Sequence, residues 1–283
     1  MSGWRFMIDR GGTFTDIVAL GPKGEERVIK LLSEDSANYS DPALEGIRRV
    51  LSAVDADSIP VHEIDFIKMG STVGTNALLE RKGARTALLV TEGFRDLLEI
   101  GYQERPDIFA LNVIKRSPIH ETVIEVRERI SASGEEIVAL DRERLRYDLK
   151  KLKASGVRSL AIVLMHGYRH TEHETEAAKI AEEAGFDEVC LSSEVIPLMR
   201  IVSRGDTTVA DAYLSPIIRD YLSTLSSNVG GNRLKIMKSD GGLVGAKSFR
   251  GRDSILSGPA GGIVGAVEVS RRAGFDKLVT FDR

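Results

Sequence analysis

Residues 9–16 read DRGGTFTD, a short stretch dense in polar chemistry. Gly11 and Gly12 let the backbone turn with its N–H groups exposed, Thr13 and Thr15 add hydroxyls, and Asp9 and Asp16 flank the turn. Such a hairpin can wrap a phosphate with backbone donors, while Asp9 can hold a phosphate-bound Mg²⁺ directly or through water. Asp9 or Asp16 could equally position metal or a reacting water, and the residues do not say which. A Gly-Gly pair by itself also makes an ordinary hairpin turn.

Three further small-residue stretches could face a ligand. Residues 257–265, SGPAGGIVG, lead into a helix, whose N-terminal N–H groups and positive dipole end suit an anion near Gly258, Gly261 and Gly262; close helix–sheet packing would need the same small residues. Residues 239–248, SDGGLVGAKS, come near the G-x-x-x-x-G-K-[ST] phosphate loop, but Ala246 stands where its second glycine must be, and that reading is rejected. A ligand-facing turn around Asp240 remains, because it follows a strand. GSTVGTN at 70–76 also follows a strand: Thr72, Thr75 and Asn76 could contact a substrate, although capping of the next helix is the simpler role.

Other constellations carry less. His166, His170 and His173 have a loosely metal-like spacing, but HGYRHTEH reads as a hydrogen-bonding loop without helical register. Cys190 lies in an apolar strand and reads as a buried small hydrophobe. The helix DRERLRYDLKKLK at 141–153 alternates charge sign and reads as a solvated face. No Ser-His-Asp or Cys-His arrangement has supporting spacing.

The elements that must carry these turns alternate strand and helix. Trp4, Phe6 and Ile8 begin a hairpin whose second strand runs from Ile17 to Leu20. Asp41-Pro42 opens a helix with Leu44, Ile47, Leu51 and Val54 on one face. Strands follow at 64–69, 87–91, 160–165, 189–191, 234–238 and 278–281. Helices are expected after GSTVGTN, at 94–100, 141–153, 171–184, 207–225 (with a kink or break at Pro216) and 263–272. ETVIEVRERI and Ser133-Gly134 suggest an inserted β-hairpin between about 107 and 140, and 194–205 reads as a linker. The alternation predicts an α/β fold with a largely parallel sheet.

Composition narrows the function classes. Thirty-nine basic against 42 acidic residues leave a net charge of −3, without the basic excess of a nucleic-acid binder. No run approaches the roughly 18 apolar residues needed to span a membrane. The N-terminus is too quickly charged for a secretory signal, and one cysteine precludes an internal disulfide, so a cytoplasmic location is expected. At about 150 residues per domain, 283 residues suggest two domains. Glycine, at 27 residues, is the one notable excess, and it gathers in the turns described above.

DRGGTFTD, then GSTVGTNALLERKGARTALLVTEGFRDLLEIGYQERPDIF, then SGPAGGIVGA resemble the hydantoinase/oxoprolinase family over nearly the whole chain. Asp9-Arg10 and KLLSEDSANYSDPALEGIRR are closest to its oxoprolinase branch, with hydantoinase A-type subunits sharing most blocks. The family is similar to the actin-like ATPases. The resemblance implies an actin-like, ribonuclease H-like α/β domain with an inserted α+β portion and an incomplete second domain. Residues 1–195 would be the family's N-terminal domain and 196–283 the start of the next, truncated before its own glycine hairpin, as in the N-terminal part of a longer protein. By the same resemblance, Asp9, Arg10, Gly11, Gly12, Thr13, Thr15 and Asp16 form the first phosphate hairpin, Asp9 and Asp16 being catalytic candidates and Asp9 the metal ligand. Gly258, Gly261 and Gly262 sit near the nucleotide, and Thr72, Thr75, Asn76 and Asp240 near the substrate.

The implied activity is ATP-dependent opening of a cyclic amide, 5-oxoproline to glutamate or a hydantoin, through a phosphorylated intermediate. Mg²⁺, with room for a monovalent cation, would assist. The implied partners are the small cyclic amide and the rest of the polypeptide or a second hydantoinase subunit, in a homo- or hetero-oligomer, with neither nucleic acid nor membrane. An acetone-carboxylase-type subunit, a small-molecule kinase of the actin-like superfamily and a non-catalytic docking module are the alternatives.

Overall fold

The computed structural model describes residues 3–281 except 104, 106, 114 and 116. In chain order its elements are β1 (Trp4–Arg10), β2 (Phe14–Leu20), β3 (Glu26–Leu32), α1 (Pro42–Leu51), β4 (Ile64–Ser71), α2 (Val73–Leu79), β5 (Thr86–Thr91), α3 (Leu97–Ile100), β6 (Thr122–Val126) and β7 (Arg129–Ile130). Then come β8 (Glu136–Val138), α4 (Arg142–Ala154), β9 (Ser159–Val163), α5 (Glu172–Glu183), β10 (Glu188–Leu191), α6 (Ser192–Val195), α7 (Ile201–Val229), β11 (Leu234–Met237), β12 (Leu243–Gly245) and α8 (Ser257–Arg272). The chain divides into two compact units, Met1–Lys82 with Ile217–Arg283, and Gly83–Pro216.

The first unit is built on a six-stranded sheet ordered β12-β11-β4-β1-β2-β3. β1, β2 and β3 form an antiparallel meander, while β4 runs parallel to β1 and β11 parallel to β4. That order and polarity are the ribonuclease H-like arrangement of the actin-like ATPases. Strand alternation turns Phe6 and Ile8 into the core and leaves Asp9 exposed at the strand end. Helix α1 covers the sheet with Leu44, Ile47 and Val50, packed with Ile218, Leu222 and Leu225 of α7. Asp41 starts α1: its Oδ1 accepts the Ala43 and Leu44 N–H groups at 2.9 and 3.0 Å, a cap worth about 1 kcal/mol.

The second unit holds four parallel strands ordered β10-β9-β5-β6 and a two-stranded ribbon, β7-β8. Both faces of its central strands are covered, which is why they read as continuous apolar runs. Ala87, Leu89, Leu160 and Ile162 pack among α4 and α5 residues, whereas Leu88, Val90, Ala161 and Val163 pack with Cys190, Val195, Val209 and Ala212. After β9, one residue is gripped from both sides. Leu164 N–H donates to Glu174 Oε1 at 2.9 Å, and its carbonyl accepts Arg204 Nη2 at 2.6 Å, both side chains being fully buried.

Several expectations are corrected. ETVIEV is not part of a hairpin: Thr122–Val126 pairs parallel with β5, and only 129–138 forms the ribbon around Gly134, at φ +92°. Much of the expected linker is helical, since α6 reaches Val195 and α7 begins at Ile201 and runs unbroken through Pro216, with Val209, Ala212, Ile218 and Leu222 buried at helical spacing. Tertiary burial there outweighs the roughly 3 kcal/mol that an internal proline costs. Residues 278–281 form no strand; Val279 and Phe281 are exposed without a ladder partner among the described residues. Asp282, read as a strand-end aspartate, and Arg283 lie outside the described residues. His173 is not in a loop but in the first turn of α5, buried, with Nδ1 2.8 Å from Glu128 Oε2. Strand β3 went unpredicted because only Leu31 of its seven residues is buried, which erases the alternation.

Candidate functional site

The hairpin residues, Thr72, Asn76 and Gly258 of the first unit meet at the carboxyl ends of β1 and β4. The hairpin between β1 and β2 closes with Gly11 N–H donating to Phe14 O at 3.0 Å. A Cβ at Gly11 would stand 2.9 Å from that same oxygen, so the turn requires glycine here. Its carbonyls are anchored by the residue after β3. Ser33 Oγ donates to Gly11 O at 2.7 Å, Ser33 N–H donates to Thr13 O at 2.8 Å, and the Thr15 hydroxyl lies 3.0 Å from Ser33 Oγ, fully buried. Gly12 and Thr13 are exposed at the tip.

The two aspartates differ in setting. Asp9 pairs with Asp16 on β2 and Gly70 on β4, with its Oδ1 3.4 Å from where a Gly70 Cβ would stand, an ordinary contact. Asp16 is exposed and held by Lys30, whose Nζ reaches both carboxylate oxygens at 2.8 and 2.9 Å.

The β4–α2 corner is bonded to the hairpin. Arg10 O accepts Thr72 N–H at 2.9 Å and the Thr72 hydroxyl at 3.1 Å. The capping role expected for Thr72 is not what its side chain performs: it makes no cap hydrogen bond and instead donates its hydroxyl to Arg10 O. Asn76 lies against the turn, with Nδ2 3.5 Å from where a Gly12 Cβ would stand. Thr75 Oγ1 donates to Ile255 O at 2.7 Å, away from any exposed role.

The third small-residue stretch joins from the other side. Ser257 Oγ donates to Ser71 O at 2.7 Å, and a Cβ at Gly258 would lie 3.3 Å from Thr72 Cγ2. SGPAGG is itself the first turns of α8, not a loop before it. Gly261 and Gly262 touch nothing within 4 Å of their Cβ positions, so they do not pack into this corner. Gly74 is a packing glycine: a Cβ there would lie 1.9 Å from Ser254 Oγ. Asp240 folds onto its own turn. It accepts Lys238 Nζ at 2.7 Å and Gly242 N–H at 2.8 Å, and these bonds, the lysine's foremost, hold its carboxyl below the usual range. Ser239 connects that turn to α8 by accepting Leu256 N–H at 3.1 Å.

Arg10 turns its guanidinium inward. Nη1 is 3.1 Å from Asp41 Oδ2, and Cζ sits 4.7 Å from the centroid of the Tyr221 ring. Burial, then the neighbouring Asp41 charge, pushes the Tyr221 phenol well above its ordinary value, keeping it neutral. Ser33, Asp41, Tyr221 and Ser257 were missed in sequence because each acts through a distant partner; only Asp41 carried a local sign, as a helix cap.

Among the described residues no group of three or more His, Cys, Asp or Glu side chains could hold a metal ion, and no helix is long and apolar enough to cross a membrane. The chain is 47% identical over 291 residues to a protein of Arabidopsis thaliana named 5-oxoprolinase 1, and 42% identical over 300 residues to the 5-oxoprolinase of Saccharomyces cerevisiae, covering 92% of the chain in each case. It spans only 23% of the length of either relative. Among solved structures, the ATP-dependent caprolactamase from Pseudomonas jessenii superposes with a TM-score of 0.80 at 28% identity, over 96% of this chain and 41% of that one. The hydantoinase/oxoprolinase N-terminal region matches residues 5–185 and the hydantoinase/oxoprolinase domain residues 204–283. With both patterns in sequence order, and with the glycine hairpin, the 70–76 corner and the α8 start bonded into one sheet end, the chain belongs to the hydantoinase/oxoprolinase family.

Proposed function

We propose that this chain supplies the first phosphate-binding half of the ATP site in an enzyme that opens cyclic amides such as 5-oxoproline. The observation that carries the reading is the bonding of the Gly11–Thr13 hairpin to the 70–76 corner through Arg10 O and Thr72. Open parallel sheets bind ligands outside the carboxyl ends of their strands, and β1 and β4 end here.

The residues fit a magnesium nucleotide. Mg²⁺ uses one or two carboxylates together with phosphate oxygens and water, so the single exposed Asp9 suffices where a closed cage of protein ligands would not form. The Asn76 amide stands beside the turn, 3.5 Å from where a Gly12 Cβ would lie. Bound as its magnesium complex, ATP would supply the phosphoryl group that, carried on the amide oxygen, makes the amide carbon a better electrophile for water, so that the ring C–N bond can break. The chain's own residues orient and neutralise: backbone N–H groups at Gly12 and Thr13 face the phosphates, Asp9 holds the metal, and Asn76 and Thr72 fix the corner. Asp16, engaged by Lys30, orders β2 and β3. Gly258 keeps the start of α8 close enough to add its dipole. The cyclic amide as partner, the remaining polypeptide or a second subunit as neighbour, and a cytoplasmic setting complete the proposal.

The test is assembly-level. The protein together with the segments that complete its longer relatives is assayed for ATP consumption against 5-oxoproline, hydantoins and caprolactam. ATP consumption coupled to ring opening supports the reading; consumption indifferent to every cyclic amide rejects it.

A further inference from the structure

Arg10 is, by residue type and place, the obvious cation for a phosphate: it immediately precedes Gly11-Gly12. Its guanidinium is already committed elsewhere. Nη1 meets Asp41 Oδ2 at 3.1 Å, with only 17% and 9% of the two side chains exposed, and Cζ sits over the Tyr221 ring, 4.7 Å from its centroid. Asp41 is committed in turn, since its other oxygen caps α1 through Ala43 and Leu44. Tyr221 belongs to the part of α7 in the first unit, and its hydroxyl lies 3.8 Å from Met69 Sδ on β4. The side chain of Arg10 thus joins β1 to α1 and α7, while its carbonyl binds both donors of Thr72.

We propose that Arg10 is a positioning residue for the phosphate hairpin: clamped by Asp41 and Tyr221, it fixes the Gly11–Thr13 turn against the Thr72–Asn76 corner and makes no contact with phosphate. This rests on the reading of the hairpin as a phosphate loop. Two physical arguments support it. A shielded guanidinium–carboxylate pair holds geometry because loss of either partner strands the other. Arginine stacked on an aromatic ring is also not replaceable by lysine, whose compact ammonium cannot lie flat on the ring while reaching the carboxylate.

The two possible roles of Arg10 separate in a double-mutant cycle on the 283-residue chain. Mg·ATP is titrated while backbone amide shifts of Gly11, Gly12 and Thr13 are followed by NMR, with thermal unfolding as a check on folding. Asp41→Asn keeps the capping oxygen and removes the charge partner. A positioning role gives about three- to tenfold weaker binding for both Arg10→Gln and Asp41→Asn, no further loss in the double variant, and no rescue by Arg10→Lys. Unchanged or tighter binding in Asp41→Asn, with rescue by Arg10→Lys, would mean the freed cation reaches phosphate and would overturn the proposal. Absence of any shift at residues 11–13 in the unaltered chain rejects the phosphate-loop reading instead. The positioning claim is then decided by hydrogen exchange at the Thr72 amide: faster exchange in Arg10→Gln and Asp41→Asn supports it, and unchanged exchange overturns it. If Arg10→Gln does not fold, Tyr221→Leu, which removes the ring and its hydroxyl while leaving Arg10 and Asp41 in place, is read in the same way.

Discussion

Thr72 gives both of its donors to one acceptor, the carbonyl oxygen of Arg10, at 2.9 Å from nitrogen and 3.1 Å from oxygen. The contact spans 62 residues of sequence and fastens the end of β1 to the start of α2. Replacing Thr72 by valine keeps the shape and the amide bond but removes the hydroxyl. A loss of about 1 kcal/mol is expected in denaturant unfolding, with serine restoring most of it. Equal midpoints for valine and threonine would show that the amide alone makes the joint.

Gly74→Ala tests how tightly the same corner is built. The added methyl would lie 1.9 Å from Ser254 Oγ and 2.6 Å from Ser254 Cβ, and Ser254 is itself buried and bonded to Gly251 O. Overpacking of this kind costs about 1–3 kcal/mol, more than the helix gains from alanine. The paired variant Gly74→Ala/Ser254→Gly should recover stability, as measured by thermal unfolding.

Asp9→Asn is expected to leave folding nearly unchanged, since the side chain is exposed at a strand end and the substitution is isosteric. In the complete enzyme turnover should drop by at least about 100-fold through the loss of charge at the metal. Wild-type turnover in this variant would return the hairpin to a purely structural role.

Acid should weaken α1 in a defined window. Glu45 lies 2.7 Å from both Arg48 Nε and Arg49 Nε, and these bonds, that of Arg48 foremost, hold its carboxyl down to about 2 against an ordinary 4.5. Between those values the unfolded chain binds the proton and the folded chain does not, so stability rises with pH. The contribution is whole above pH 4.5 and fades as pH falls toward 2. With the arginines partly exposed it amounts to about 1–2 kcal/mol. Glu45→Gln should match the unaltered chain near pH 2 and fall below it above pH 4.5; a constant difference across that range would deny the linkage.

Local chemistry explains which parts of the molecule could be read in sequence. Asp41-Pro42 marked α1, Asp141 marked α4, and the apolar runs at 87–91 and 160–165 marked strands, observed as the buried parallel β5 and β9, because caps and burial act within one element. DRGGTFTD and GSTVGTN were legible as turns at strand ends. Their joining was not: the Arg10–Thr72, Thr75–Ile255 and Ser257–Ser71 bonds link residues 62, 180 and 186 positions apart. Residue type misleads at Arg10, whose charge beside Gly11-Gly12 suggests a phosphate but whose partners are Asp41 and Tyr221. The ETVIEV strand looked like half of a hairpin because β-branched content reveals a strand but not its partner.

Helix α8 carries Gly261, Gly262 and Gly265, and at none of them would a methyl group meet an atom within 4 Å. Glycine inside a helix forgoes about 1 kcal/mol relative to alanine. In this chain, then, the three glycines are a stability reserve left undrawn. An isolated chain carrying alanine at all three should melt higher, by the equivalent of roughly 2–3 kcal/mol. The slimness of α8 answers no steric demand of the atoms described here, so thickening this helix is the simplest route to a sturdier version of the isolated chain.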